Sequence, residues 1–480
     1  MQPSQAPEPV PAAAAKRILP WLVAVAFFME ALDSTILNTA VPAIAHALGV
    51  APLSMKSVLS SYTLSLAVFI PVSGWVAMRF GTRRVFAGAI GLFTLGSLLC
   101  GLSRSIEVLV VCRIIQGCGG AMMLPVGRLT MVRTFAKSEY LRALSFVAIP
   151  GLVGPMMGPT IGGFLIEYFH WSVIFFVNIP IGLVGLWMVY RHLPDYREEQ
   201  ESPFDVVGFV LFGSGIALLS YVLEVFGEHT LGAAQIMGLL SLSAVLLGAY
   251  GFNSIRIDHP MLQLDLFRLR TFRASNVGSF VTRIGLGGIP FLLPLLYQVG
   301  FGFNAIESGL LIMPLPFAAM SLRFLIPRML RRFGYRRVLI ADTVMLGLTL
   351  ALFATVTVHT PLWLIVAMVF GLGFLQSTMF TSLNTFSIAD IDDAQASNAS
   401  TISSTVQQLS LSFGIAAASL VTALFVPDRF HASPAEMIQG IHRAFLVIGA
   451  WMILAAVTFL RLRNSDGAAV SQYRAGPETA

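Results

Sequence analysis

Apolar runs of about 20 residues recur along the chain from residue 18 to residue 463, separated by short polar connectors. Each run is long enough to cross a hydrocarbon core of about 30 Å as a helix. Fourteen spans are expected, at 18–40, 54–78, 84–103, 107–132, 141–167, 171–192, 204–226, 233–256, 272–300, 305–330, 337–357, 361–386, 397–426 and 437–463. In lipid, backbone donors and acceptors must be satisfied within the segment, which calls for helices. The alternating pattern of a membrane barrel is absent. The stretch before the first span is rich in Pro and Ala and ends at Lys16-Arg17. The apolar run that follows passes Leu37 without a small-residue cleavage site, so it reads as an uncleaved first helix rather than a signal peptide.

Composition agrees with this pattern. The 480 residues are 56% hydrophobic and 11% charged, too few polar groups to cover a soluble domain of that size. The 42 glycines and 36 phenylalanines suit helices that pack closely and face lipid. The net charge of +6 is no nucleic-acid face, because the basic residues fall in connectors. Of the 30 Lys and Arg, 22 lie on the side that holds both termini and the connectors after even-numbered spans. Four lie on the other side, and Arg113, Arg128, Arg283 and Arg323 fall within spans. This bias places both termini in the cytoplasm, and a single missing span would scramble it. Cys100, Cys112 and Cys118 read as small packing residues, with no disulfide framework or zinc spacing.

A short motif occurs twice. Arg79-Phe80-Gly81-Thr82-Arg83-Arg84-Val85 returns as Arg332-Phe333-Gly334-Tyr335-Arg336-Arg337-Val338, with six of seven positions identical. Each copy follows the second span of a six-span group, which implies two parallel repeats about an axis along the membrane normal. The expected organisation is a cytoplasmic tail 1–17, a six-helix half 18–192, a central region 193–271 with two extra spans, a second half 272–463, and a cytoplasmic tail 464–480.

Ionisable groups inside spans are costly and are candidates for function. Glu30 and Asp33 share one face of the first span. Counting helix rise from opposite ends puts Asp33 and Arg113 at nearly the same depth, so the two are expected to pair, directly or through water. A carboxylate so placed can bind and release a proton as its surroundings change. The competing role is a fixed pair that only orients helices. Arg283, Asn38 and Gln116 are candidates to face a cavity. Arg323 could snorkel to the interface, and Asp342 and Arg128 are expected to be solvated near helix ends. Gly154, Gly158 and Gly162 make a flat ridge on the fifth span, where Pro155 and Pro159 can kink it. Met122, Met123, Met156, Met157, Phe291 and Phe380 are candidate apolar cavity residues.

Five stretches carry a likeness. They are Leu32 to Pro42, Gly74 to Val85, Arg113-Ile114-Ile115-Gln116-Gly117, Gly151 to Gly163, and Trp171 with Asn178-Ile179-Pro180-Ile181-Gly182. In this order they resemble the major facilitator superfamily, and within it the fourteen-span drug:proton antiporters. The resemblance implies an all-α membrane fold of two six-helix bundles plus two central helices. It implies a proton-coupling role for Asp33 with Glu30 and Arg113. It also implies an antiporter motif of Gly151, Gly154, Pro155, Gly158, Pro159, Gly162 and Gly163. Gly74, Arg79, Gly81, Arg83, Arg84, Arg332, Gly334 and Arg336 would then form cytoplasmic gate loops. Met78 stands where the family usually has an Asp that helps lock the gate.

The expected activity is proton-coupled export of drug-like or metabolite molecules by a monomer in the inner (cytoplasmic) membrane. Its partners would be protons, a small-molecule substrate and lipid. An uptake symporter of the same superfamily and a non-transporting sensor or scaffold are the alternatives. No phosphate-binding loop of the form GxxxxGK[ST] is present, and Asp390, Asp392 and Asp393 lack a second acidic cluster. No cofactor, metal or enzymatic activity is therefore expected.

Overall fold

The computed structural model describes residues 12–135, 137–197, 203–226, 232–392, 395–426, 433–463 and 466–467. Among the described residues there are helices and turns but no strand. In chain order they are α1 (Ala12–Leu48), α2 (Lys56–Phe80), α3 (Thr82–Leu102), α4 (Ile106–Thr134) and α5 (Lys137–Tyr168). Next come α6 (Val173–Phe176, resuming as Asn178–His192), α7 (Val206–Phe226) and α8 (Ala233–Arg256). Then follow α9 (Arg270–Gly287, resuming as Ile289–Leu295 and a π-turn Leu296–Gly300) and α10 (Ala305–Ile312, resuming as Pro314–Ser321). Last are α11 (Leu325–Phe353), α12 (Leu362–Ser387), α13 (Ala396–Phe425) and α14 (Pro434–Ala455, resuming as Val457–Leu460).

Eleven of the described helical segments are long and apolar enough to cross a membrane, and Ala305–Ser321 with Leu325–Phe353 forms a further candidate bent by 73°. Gly334 interrupts α11 with φ 74 and ψ 165. Dividing α11 there and counting α5 is consistent with the fourteen spans expected. Several boundaries differ from the hydropathy reading. The first helix is already formed at Ala12, the first described residue, where the run Ala12 to Ala15 favours helix, and it ends only before Gly49 at φ 66. The tenth span is broken at residues 322–324, where Arg323 is an exposed turn residue rather than part of a continuous helix. Asp342 also departs from expectation. It is 4% exposed rather than solvated, because the helix after Gly334 carries it two turns into the packed bundle.

The helices form two six-helix bundles with α7 and α8 added, and their packing repeats. In one bundle α1 lies on α5, and α4 touches both α2 and α3. In the other, α9 lies on α13, and α12 touches both α10 and α11. The contact of α3 with α6 recurs as that of α11 with α14. Between bundles α2 meets α13 and α5 meets α10, a pair of contacts exchanged by the same two-fold relation. Helices α7 and α8 pack on each other, and α7 covers the seam between α2 and α13. Asp205 pins this addition by accepting from Gly208 N (2.6 Å), Asn253 Nδ2 (3.2 Å) and Met261 N (3.3 Å).

The repeated motif has the same backbone role in both places. Gly81 (φ 93) and Gly334 (φ 74) turn the chain sharply between helices, a conformation that costs an L-residue about 1–2 kcal/mol. The segment after α6 clasps the first turn. Arg83 N donates to Asp195 (3.0 Å), and Thr82 N donates to the Tyr196 carbonyl (3.1 Å).

Candidate functional site

Asp33 and Arg113 meet at the centre of the first bundle. Arg113 Nη1 lies 2.6 Å from Asp33 Oδ2, and both side chains are 1% exposed. Gln116 Nε2 (2.8 Å) and Asn178 Nδ2 (3.0 Å) donate to the other oxygen, Asp33 Oδ1. The same Arg113 Nη1 donates to Gln116 Oε1 at 2.8 Å, and Arg113 Nε reaches the Val58 carbonyl at 3.4 Å. The guanidinium sits 4.2 Å from the Tyr62 ring centroid. Asn178 also donates to Ser97 Oγ (3.1 Å), which donates to the Phe175 carbonyl (2.8 Å). One ion pair thus ties α1, α2, α3, α4 and α6 together.

Glycines bring these helices close enough. A Cβ on Gly96 of α3 would fall 2.7 Å from the Gln116 Cα, and one on Gly117 of α4 would fall 2.9 Å from the Tyr62 carbonyl. Asn178 opens the second part of α6 beside the break at Val177, and Pro180 occupies its first turn, where its missing N–H costs little. The hydropathy pattern gave Asn178 no role. Its signals were its place in the stretch from Asn178 to Gly182 that carries the family likeness and a polar side chain in an otherwise apolar span. Ser97 and Tyr62 carried no distinguishing signal, since small hydroxyls and aromatics are common in such helices.

Glu30, Ser34 and Asn38, spaced by four, form one strip on α1. Ser34 is exposed, Glu30 and Asn38 are half-buried, and Glu30 Oε2 has no hydrogen-bond partner. Glu30 therefore does not share the Asp33 network, although only three residues separate the two. Gln116 lies inside that network and is fully buried, so it does not face a cavity. Met123 and Phe291 are likewise fully buried core residues, while Met122, Met156 and Phe380 are half-buried and Met157 is 39% exposed.

The α5 glycines lie along two partners. Gly151, Gly154, Gly158 and Gly162 face Phe27, Ala31, Thr35 and Thr39 of α1, and a Cβ at Gly158 would overlap the Thr35 hydroxyl. Gly163 turns the other way, toward the second bundle, where its Cβ would stand 3.0 Å from the Ile306 Cα. Gly309 returns the contact, 2.9 Å from the Pro159 carbonyl carbon by the same measure. Pro155 and Pro159 lie within the continuous helix α5. Three hydrogen bonds join the bundles near the same end: Gln298 Nε2 to the Thr39 carbonyl (2.9 Å), Ser412 to Ser60 (3.2 Å) and Ser419 to Leu53 (3.2 Å). These residues lie toward the end away from the chain termini. The opposite end holds a cavity of about 460 Å³ bordered by Trp75, Met78, Arg79, Arg133, Phe204 and Thr401.

Gly74 lies within α2 and has open space around it, and Arg79, Arg84 and Arg332 are exposed at the termini end. Arg83 and Arg336 are half-buried there. A carboxylate does stand at the Gly81 turn although Met78 replaces the usual one. It is Asp195, ion-paired with Arg197 at 3.4 Å and brought from a distant part of the chain.

In the second bundle Arg283 is 3% exposed. Its Nε donates to Ser279 Oγ (2.9 Å), and its guanidinium carbon lies 3.7 Å from the Phe380 ring centroid. No carboxylate pairs with it among the described residues. Among the described residues there is also no cluster of three or more His, Cys, Asp or Glu that could hold a metal.

Comparison with known proteins places this geometry. A family model described as Major Facilitator Superfamily matches residues 23–415. A protein of Serratia proteamaculans (strain 568) named "Putative multidrug resistance protein MdtD" is 40% identical over 426 residues, covering 89% of this chain and 88% of that one. A protein of the same name from Escherichia coli O6:H1 (strain CFT073) is 38% identical over 444 residues, covering 92% and 94%. Among solved structures, a peptide transporter POT in complex with sulfate matches with a TM-score of 0.68 at 12% identity, over 94% of this chain and 95% of that one. A bacterial homolog of the human lysosomal transporter Spinster, inward-facing and unoccupied, gives 0.66 at 13% identity, over 96% and 99%. At such identities the structures speak for the fold alone.

Proposed function

The chain belongs to the Major Facilitator Superfamily and is a multi-pass membrane transporter, and we propose that it exports small molecules by proton-coupled antiport across the cytoplasmic membrane. In this reading both termini lie in the cytoplasm, as the charge bias of the connectors suggests. The bundle contacts then close the outer face, and the cavity at the termini end opens inward. Transport would proceed by rocking the bundles about α2–α13 and α5–α10.

The Asp33–Arg113 network is the observation that carries the reading. A proton on Asp33 would leave Arg113 without its counter-ion in a packed bundle, a loss of about 3–5 kcal/mol for a broken buried pair. That is large enough to change which arrangement of five helices is favoured, so protonation and conformation become one event. Glu30, one turn from Asp33 on α1 and with a buried oxygen that has no hydrogen-bond partner, would be the group through which protons reach Asp33. The glycine contacts of α5 with both α1 and α10 give a path from that pair to the bundle interface. The names of the curated relatives support export of drug-like molecules.

Inside-out vesicles with a preset proton gradient test this. Candidate compounds are added singly while internal pH is followed with a quenched dye. Proton release on addition, lost in Asp33→Asn, is the expected result. Equal release from the variant would remove Asp33 from the coupling step.

A further inference from the structure

Among the described residues Arg283 is a charge without a counter-ion. Its guanidinium carries five N–H donors, and Ser279 takes one of them. Ordinary burial of an unpaired cation is costly by several kcal/mol, so a residue of this kind needs a compensating partner at some stage. The Phe380 ring supplies part of it through a cation–π contact. One turn away on α12 stands Gln376, whose Oε1 is buried with no partner and whose amide makes no hydrogen bond among the described residues. A guanidinium fork, an uncommitted amide and an aromatic platform together suit a planar anion, since the fork matches a carboxylate through two parallel hydrogen bonds.

The repeat says where this group sits. Arg283 precedes Gly334 by the same number of residues as Glu30 precedes Gly81. The two charges therefore occupy equivalent depths in the two bundles, with opposite sign, and they form no ion pair with each other. A purely architectural residue would more simply be shared by both repeats. Here one bundle presents an acid and the other a base.

We propose that Arg283, backed by Phe380 and with Gln376 one turn along α12 from that ring, binds an anionic carboxylate-type group of the transported molecule, which makes organic acids a substrate class of this protein. The proposal rests on the transporter reading above but not on its proton coupling. It is tested at equilibrium, with no gradient, on the full chain in phosphatidylcholine nanodiscs. Three fluorescent probes of one scaffold are titrated: dansyl-glycine (carboxylate), dansylamide (neutral) and dansylcadaverine (cation). Dansyl-glycine is expected to bind at least tenfold more tightly than the other two. Arg283→Met is expected to erase that preference, with dansylamide binding unchanged. Arg283→Gln gives the same reading if the first variant does not fold. Binding of dansyl-glycine that survives either folded variant, a preference for the cation, or no binding of the carboxylate at millimolar concentration would overturn the assignment. A failed antiport assay with an intact Arg283-dependent preference would then remove the coupling and leave the anion site standing.

Discussion

Replacing Asp33 separates architecture from coupling if it is done in two steps. In Asp33→Asn the side chain keeps its shape and one acceptor oxygen. That oxygen can accept from Gln116 and Asn178, which now donate at 2.8 and 3.0 Å, or from Arg113 at 2.6 Å, but not from all of them as the carboxylate does. The amide then presents donors to a buried guanidinium. Breaking one member of such a pair costs about 3–5 kcal/mol, which is two to three and a half powers of ten in the folding equilibrium. In Asp33→Asn/Arg113→Gln both charges are gone, so no uncompensated charge is left in the core, which is the origin of the single variant's loss. The expected order of stability in reversible unfolding from lipid–detergent micelles is wild type and double variant close together, with the single variant well below. Proton-driven transport should be absent from both variants. A single variant as stable as wild type would mean that Arg113 does not depend on Asp33. A double variant that transports like wild type would reduce the pair to a helix-orienting device.

Other substitutions probe the rest of the argument. Gly158→Leu should abolish transport while leaving membrane insertion intact, because its Cβ overlaps Thr35 and lies 3.2 Å from Ile36 N, forcing α1 and α5 apart; wild-type transport rates would remove the close α1–α5 packing from the mechanism. Gly81→Ala and Gly74→Ala should change stability in opposite directions when melted side by side. The first sits at φ 93 against Asp195 and should lose about 1–2 kcal/mol. The second sits in a helix with open space and should gain up to about 1 kcal/mol. With Cys100, Cys112 and Cys118 replaced, a cysteine at Arg268 should react with impermeant maleimide only from inside the cell, and one at Val358 only from outside; the reverse labelling would invert the topology.

The hydrophobic pattern by itself determined the class of the molecule. Runs of membrane length, few charges and a one-sided Lys/Arg bias leave little choice in lipid but a helical bundle. The doubled Arg-Phe-Gly motif gave the repeat, because a turn at positive φ needs glycine wherever the chain is reversed this tightly. Depth along each helix also brought Asp33 and Arg113 to one level, since rise per residue is fixed. What helix rise does not give is rotation and neighbour. It left Gln116 as a cavity candidate, whereas packing closed it into the Asp33 network. It treated Asp342 as a residue near a helix end, whereas Gly334 starts a new helix and carries it into the interior. Arg323 read as part of an unbroken helix, whereas the chain breaks around it. Asn178 and Asp195 became partners of Asp33 and Arg83 only through contacts between segments far apart in sequence. The lone state of Arg283 is likewise a tertiary fact. A sequence can show that a charge lies within a span, but only the packed neighbours decide whether a counter-ion lies within reach.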